Sequence, residues 1–175
     1  MIISVEKLRQ YITADFDDQV LEAKLQALES LIRKYTNNNF QNRNVRFVCD
    51  AQSGILINAD ATYLKVGDTI QISQSKHNDG IYVVKTIDGN EITLDKDVFF
   101  ESKLLVTKVE YPMDVQIGVV NMMKWDIESR DKVGIQSEAI SRHSVTYFNM
   151  DGDNSLIGYP KSLIGFLKPY MKARF

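Results

Sequence analysis

Two histidines and one cysteine are the side chains in this chain best suited to holding a metal or acting as a nucleophile. His77 and His143 fall in different predicted modules, and neither has a Cys or His at zinc-like spacing beside it, so no metal centre is expected. Asp151-Gly152-Asp153-Asn154 resembles a calcium loop only superficially. The longer ligand spacing and a terminal bidentate Glu are missing, which leaves a surface turn as the simpler reading. Serines are plentiful, yet there is no Gly-x-Ser-x-Gly elbow, and Gly134, Gly152 and Gly158 do not form a phosphate-cradling loop. Asp17 and Asp18 adjoin, but nothing near them in sequence would drive their pKa values apart, as an acid–base pair requires. Cys49 ends the strand-like run Val45-Arg46-Phe47-Val48-Cys49, where a buried structural thiol is expected, and a lone cysteine makes no internal disulfide. These residues predict neither an enzyme nor a cofactor.

The basic, aromatic C-terminal end is the stronger signal. From Tyr159 onward the chain has Lys161, Lys168, Lys172 and Arg174 and no acid, whereas Asp15, Asp17, Asp18 and Glu22 cluster near the start. Taken alone, Lys168, Lys172 and Arg174 are better explained as complements to the negative end of their own helix than as phosphate ligands. Tyr170 and Phe175 shift the reading toward docking on another protein, because large aromatics on a terminal segment supply interface anchors.

These groups must be carried by a small scaffold. At 175 residues the chain has room for one ordinary core or two very small ones. Its 44% hydrophobic and 25% charged content is that of a soluble globular protein, and no apolar run approaches the roughly 18 residues that span a bilayer. The N-terminal Met1-Ile2-Ile3-Ser4-Val5-Glu6-Lys7 lacks the pattern of a secretory signal, so a reducing cytoplasm is the expected setting. A formal net charge of -2 argues against a wholesale basic nucleic-acid binder.

Periodicity divides the chain. Ser4 can cap a short helix through about Tyr11, and Leu21, Leu25, Leu28, Ile32 and Tyr35 form an apolar seam on a longer one that Thr36-Asn37-Asn38-Asn39 terminates. From Asn44 the period becomes two. Thr69–Ser73 and Ile81–Lys85 flank the loop Lys76-His77-Asn78-Asp79-Gly80, Asp88-Gly89-Asn90 leads into Glu91–Leu94, and Leu104–Val109 returns as the last strand. Such short strands are best satisfied by a small closed barrel or sandwich, since an open sheet would leave edges unpaired. Pro112 opens a helix to about Ser129, apolar on more than one stripe; Gly134 to Phe148 reads as extended; a last helix begins at Tyr159-Pro160, with Pro169 ending or kinking it. The expected fold is therefore α+β: a small α-helical bundle, residues 1–43 and 112–175, with an inserted small antiparallel β-barrel or sandwich module, residues 44–111.

Several stretches together resemble the head-tail connector, or head-completion, family of tailed bacteriophages. They are Val5-Glu6-Lys7-Leu8-Arg9-Gln10-Tyr11-Ile12 followed by an acidic stretch, Ile32-Arg33-Lys34-Tyr35-Thr36-Asn37, and Pro112-Met113-Asp114-Val115 opening a helix with Trp125. Gly134-Ile135-Gln136-Ser137-Glu138-Ala139-Ile140, Ser144-Val145-Thr146-Tyr147, and Pro160 leading to Tyr170 and Arg174 complete the pattern. The resemblance covers roughly residues 1 to 40 and 112 to 175; the β module departs from the shorter members. It implies a structural virion protein that forms a homo-oligomeric ring, commonly twelvefold, beneath the portal protein, and that presents a surface to the tail or the next completion protein. Such a ring extends the channel for double-stranded DNA and acts by binding, in the neck of the virion, after assembly in the host cytoplasm. It further implies portal-docking roles for Phe166, Lys168, Tyr170, Lys172, Arg174 and Phe175. The loop 76 to 80 is a candidate contact, with a plain exposed turn as the simpler account. Alternatives are another neck or tail-completion component and a nucleic-acid-binding barrel. Against the last, Phe47, Tyr63, Tyr82, Phe99 and Phe100 are not interleaved with a basic stripe, and the module's many acids would repel phosphate.

Overall fold

The computed structural model describes residues 1–129, 137–140, 143–146 and 153–173. The chain forms two compact units, one made of Met1 and Asn39–Glu110 and the other of Ile2–Asn38 and Tyr111–Phe175.

The first unit is all β. Its strands β1 (Gln41–Gln52), β2 (Ile55–Ile57), β3 (Thr69–Ser73), β4 (Gly80–Asp88), β5 (Glu91–Leu94) and β6 (Glu101–Val109) close into a barrel in the order β1-β2-β5-β4-β3-β6. Every neighbouring pair is antiparallel. Closure depends on β1, which pairs with β6 from Gln41 to Ala51 and, on its other edge, with β2 from Asp50 to Gln52. Register shifts at Asn42/Arg46 and Cys49/Ala51 bend that strand, as bulges do, so that one long strand can serve two neighbours. Alternation sends Ile70 and Ile72, Tyr82 and Val84, Ile92 and Leu94, and Leu104 and Val106 inward to one core around Leu56. The β4–β5 hairpin turns at Gly89, whose φ of 56° glycine adopts without steric cost.

The second unit holds four helices among its described residues: α1 (Val5–Arg9), α2 (Asp18–Thr36), α3 (Met113–Ser129) and α4 (Lys161–Ile164), the last continued by a 3-10 turn over Gly165–Tyr170. Ser4 caps α1, accepting a hydrogen bond from the Lys7 N–H. Helix α2 buries Leu21, Leu25, Leu28 and Ile32 along one stripe and ends where Asn37 turns left-handed at φ 50°. Helix α3 buries Val115, Val119, Val120, Met122 and Met123. Before it, the buried Tyr111 hydroxyl donates to Glu29 at 2.8 Å and accepts from Arg33 at 3.4 Å, joining α2 to the start of α3 by side-chain bonds. Burial, reinforced by the Glu29 carboxylate, holds that phenol in its protonated form. The indole of Trp125 packs on the Tyr159 ring with centroids 5.4 Å apart. Two short ribbons complete the unit, β7 (Ser137–Ile140) with β8 (His143–Thr146), and β9 (Ser155–Leu156) with β10 (Tyr159–Pro160). Gly134, Tyr147 and the turn residues Asp151 and Gly152 lie outside the described residues.

The expected α-helical bundle with a small inserted β-barrel or sandwich module is corrected by this structure. The β part is a closed six-stranded barrel with its own core, and of the α-helices among the described residues α2 and α3 alone are more than five residues long. The first helix stops at Arg9 and does not reach Tyr11. The last helix is only four residues because Pro169 lacks an N–H and its ring would strike the Gly165 carbonyl, so the chain tightens to 3-10 geometry from Gly165. No helix among the described residues is long and apolar enough to cross a membrane.

Cys49 lies in the barrel core, and burial, with a smaller push from Asp50, raises its thiol pKa from 9.0 to about 12. A folded-state pKa above the unfolded one stabilises the fold fully below about pH 9, and that contribution is lost as pH rises toward 12. Urea titrations should therefore show the wild type losing about 1 kcal/mol more than Cys49→Ala between pH 8 and about pH 10. Parallel pH profiles would contradict this assignment.

Candidate interaction surfaces

The C-terminal residues singled out from the sequence fold onto their own unit. The Phe166 ring lies over Gly118 of α3 so closely that a Cβ there would collide with it. Four residues on, the Tyr170 hydroxyl donates to the Asp114 carboxylate, 2.8 Å from each oxygen, and this bond is the main reason its pKa is raised. The spacing matches because Asp114 and Gly118 are one helical turn apart on the same face of α3.

The backbone of this segment meets the end of α2. The Lys172 N–H donates to the Thr36 carbonyl at 2.8 Å, satisfying one of the acceptors that a helix leaves free in its last turn. Asn38 donates through Nδ2 to the Tyr170 carbonyl at 3.1 Å, and Asn37 to the Ala173 carbonyl at 2.8 Å. The polar Asn run that reads as a helix stop thus also straps the final segment. Of the six residues expected to dock, Phe166 and Tyr170 are turned onto α3, Lys168 and Lys172 are exposed, and Arg174 and Phe175 lie outside the described residues.

A second surface, which sequence reasoning missed, sits on the barrel. Phe99 and Phe100 are 68% and 77% exposed, side by side in the β5–β6 connection. They lie at the barrel end formed by the β1–β2, β3–β4 and β5–β6 connections, opposite the end where β1 begins and β6 finishes.

Their mount is rigid for a specific reason. Asn78, in the β3–β4 loop and only 1% exposed, pairs its amide with the Phe99 backbone as a neighbouring strand would. Its Nδ2 donates to the Phe99 carbonyl at 3.1 Å, while its Oδ1 accepts from the Phe99 N–H at 2.7 Å. The same Nδ2 donates to Glu101, whose other oxygen accepts from the Lys76 N–H, and the Tyr82 hydroxyl donates to the Asn78 carbonyl at 3.0 Å. Val98, next to the pair, is buried in the core. His77 meets the Phe99 ring edge-on at 6.3 Å. Two adjacent aromatics cannot both face inward from a strand, so Phe99-Phe100 shortly after the Asp95-Lys96 bend was the signal in the sequence.

Among the described residues, no group of three or more His, Cys, Asp or Glu could hold a metal ion. His77 stands against an aromatic ring and the side chain of His143 lies outside the described residues. What both surfaces offer chemically is contact: apolar rings on a hydrogen-bonded mount, and lysines on a strapped segment.

No protein-family model matches the chain, and no curated protein matches it.

Asn78→Ala should cost about 1–3 kcal/mol, because it removes both bonds to the Phe99 backbone and leaves a buried donor and acceptor unpaired. The loss should be read from urea denaturation, with faster amide exchange at Phe99 as the local signature. An unchanged midpoint would show that the loop is held by other means.

Proposed function

We propose that this chain is a structural virion protein of a tailed bacteriophage that forms a homo-oligomeric ring below the portal, joins the DNA-filled head to the tail and extends the DNA channel. It works by binding and not by turnover, without a cofactor, in the neck of the virion and, during assembly, in the host cytoplasm.

The observation that carries this reading is the Phe99–Phe100 platform. Adjacent aromatics more than two-thirds exposed, on a loop whose backbone is already bonded, lose little freedom on docking, which is the condition for a strong anchor. Such an anchor suits a protein whose task is to hold another. The stretches that resemble the connector family, among them Pro112-Met113-Asp114-Val115 and Pro160 leading to Tyr170, suggest the class of partner. Of the lysines expected to meet the portal, Lys168 and Lys172 remain exposed for it, while the barrel platform serves the tail or the next completion protein.

The test is the mass and symmetry of the purified full-length protein with and without portal protein. A portal-dependent ring is expected; a particle that ignores portal but binds tail components would favour another neck or tail-completion role. In infected cells, Phe99→Asp with Phe100→Asp should leave DNA-filled heads intact and lower tail attachment at least about tenfold, the effect of losing a hot-spot pair. Normal tail attachment would remove the platform from the argument.

A further inference from the structure

We infer that a cleft on the outer face of the barrel, across β1, β2 and β5, binds a linear aliphatic polyamine, a ligand whose ammonium groups are joined by a methylene stem. The inference goes beyond the ring reading and does not depend on it.

The cleft has a volume of about 410 Å³, within the range of about 300–1,000 Å³ of small-molecule sites. Strand register explains its lining. Ala51, Leu56 and Ile92 turn into the barrel core, so the residues that alternate with them turn outward. Asp50 pairs with Ile57, Gln52 with Ile55, and Ile55 with Thr93, a register that continues from Ile57 to Glu91. Ile55 and Ile57, both half-buried, therefore make an apolar floor in the middle of the cleft. Gln52 and Ser53 line it on the β1 side, and Glu91 and Asn90 on the β5 side.

The polar rim is uncommitted. Gln52, Ser53, Asn90 and Glu91 are exposed, and their side chains make no hydrogen bond or ion pair among the described residues. Asn58, also on the rim, donates to Asp50 at 3.2 Å. Across the β4–β5 hairpin, Glu91 is opposed directly by the exposed Asp88, and like charges so placed repel each other. The segments that build this face, residues 50–58 and 86–94, carry Asp50, Asp88 and Glu91 and no lysine, arginine or histidine. The flanking strands add Lys85, at the β4 bulge, and Lys103, which lies across β1 from the cleft.

These groups select the ligand. Three carboxylates on one face disfavour an anion, and a bare metal ion would gain nothing from the isoleucines. An ammonium group at Glu91 relieves its repulsion from Asp88, while methylenes lie over Ile57 and Ile55. The far rim offers acceptors for a second nitrogen, the Gln52 carbonyl oxygen and the Ser53 hydroxyl. Because β1 and β5 are two strand spacings apart, about 10 Å, a single nitrogen cannot serve both sides. An extended chain with a nitrogen at each end can.

The experiment titrates spermidine into the full-length protein at low ionic strength and follows backbone and side-chain amides by NMR. Wild type should bind, with shifts concentrated at Gln52, Asn90 and Glu91. D88N/E91Q should weaken binding about tenfold or more, yet unfold no more easily than wild type, since a repulsive pair is gone. Ile57→Thr should weaken it about threefold, through lost apolar contact. n-Butylamine, which keeps a methylene stem but has one nitrogen, should bind about tenfold more weakly than spermidine. No binding, shifts that map elsewhere, or affinity unchanged in D88N/E91Q would overturn the site. Butylamine or magnesium ions binding as tightly as spermidine would overturn the two-ended ligand. A lysine-rich peptide that binds this face where spermidine does not would make it a protein contact and overturn the inference.

Discussion

Closure of the six-stranded barrel is the constraint on which the β unit depends. The twelve residues of β1 bend at two register shifts so that the strand bonds to β6 along most of one edge and to β2 along the end of the other, which removes the open edges a flat sheet would have. With edges gone and the alternate residues committed to the core, what the barrel shows to its surroundings is decided by its connections. The Phe99–Phe100 pair belongs to such a connection, and its exposure is compatible with a stable fold because Val98 and Asn78 secure the loop on either side. Burial and display therefore sit in neighbouring residues of one loop.

The helical unit reaches stability by a different route. Its two long helices are joined by a buried polar trio, Glu29, Arg33 and Tyr111, and by a C-terminal segment that lies across the end of α2 and the start of α3. Removing one member of a buried charged trio costs more than the pair is worth, because the remaining group loses its compensation. The strap over Thr36–Asn38 is made of backbone and amide bonds that any sequence with Asn at those positions could make. This unit is consequently specified by a few polar positions as much as by its apolar stripe.

Much of this organisation was legible in the residues. The shift from a helical period before Thr36 to a period of two after Asn44 located the β segment, and Asp88-Gly89-Asn90 marked its tightest turn. Less legible was the balance between the parts. A run such as Leu163-Ile164-Gly165-Phe166-Leu167 has helical spacing, but Pro169 acts back on the four preceding residues, and the α-helix ends at Ile164. Phe166 and Tyr170 looked like free anchors because composition does not say which face a terminal aromatic takes; the absent side chain of Gly118 and the carboxylate of Asp114 decide that, and both are remote in sequence. Asn78 likewise read as a turn residue, whereas its amide does a strand's work across twenty-one positions.

The fit between Gly118 and the Phe166 ring has an evolutionary corollary. A methyl group at position 118 would occupy space that the ring already fills, so a lineage that enlarges one must shrink or displace the other. The two sites are bound to mutate as a couple, and a glycine in mid-helix, which intrinsic propensity disfavours, is retained as long as the ring opposite it stays large.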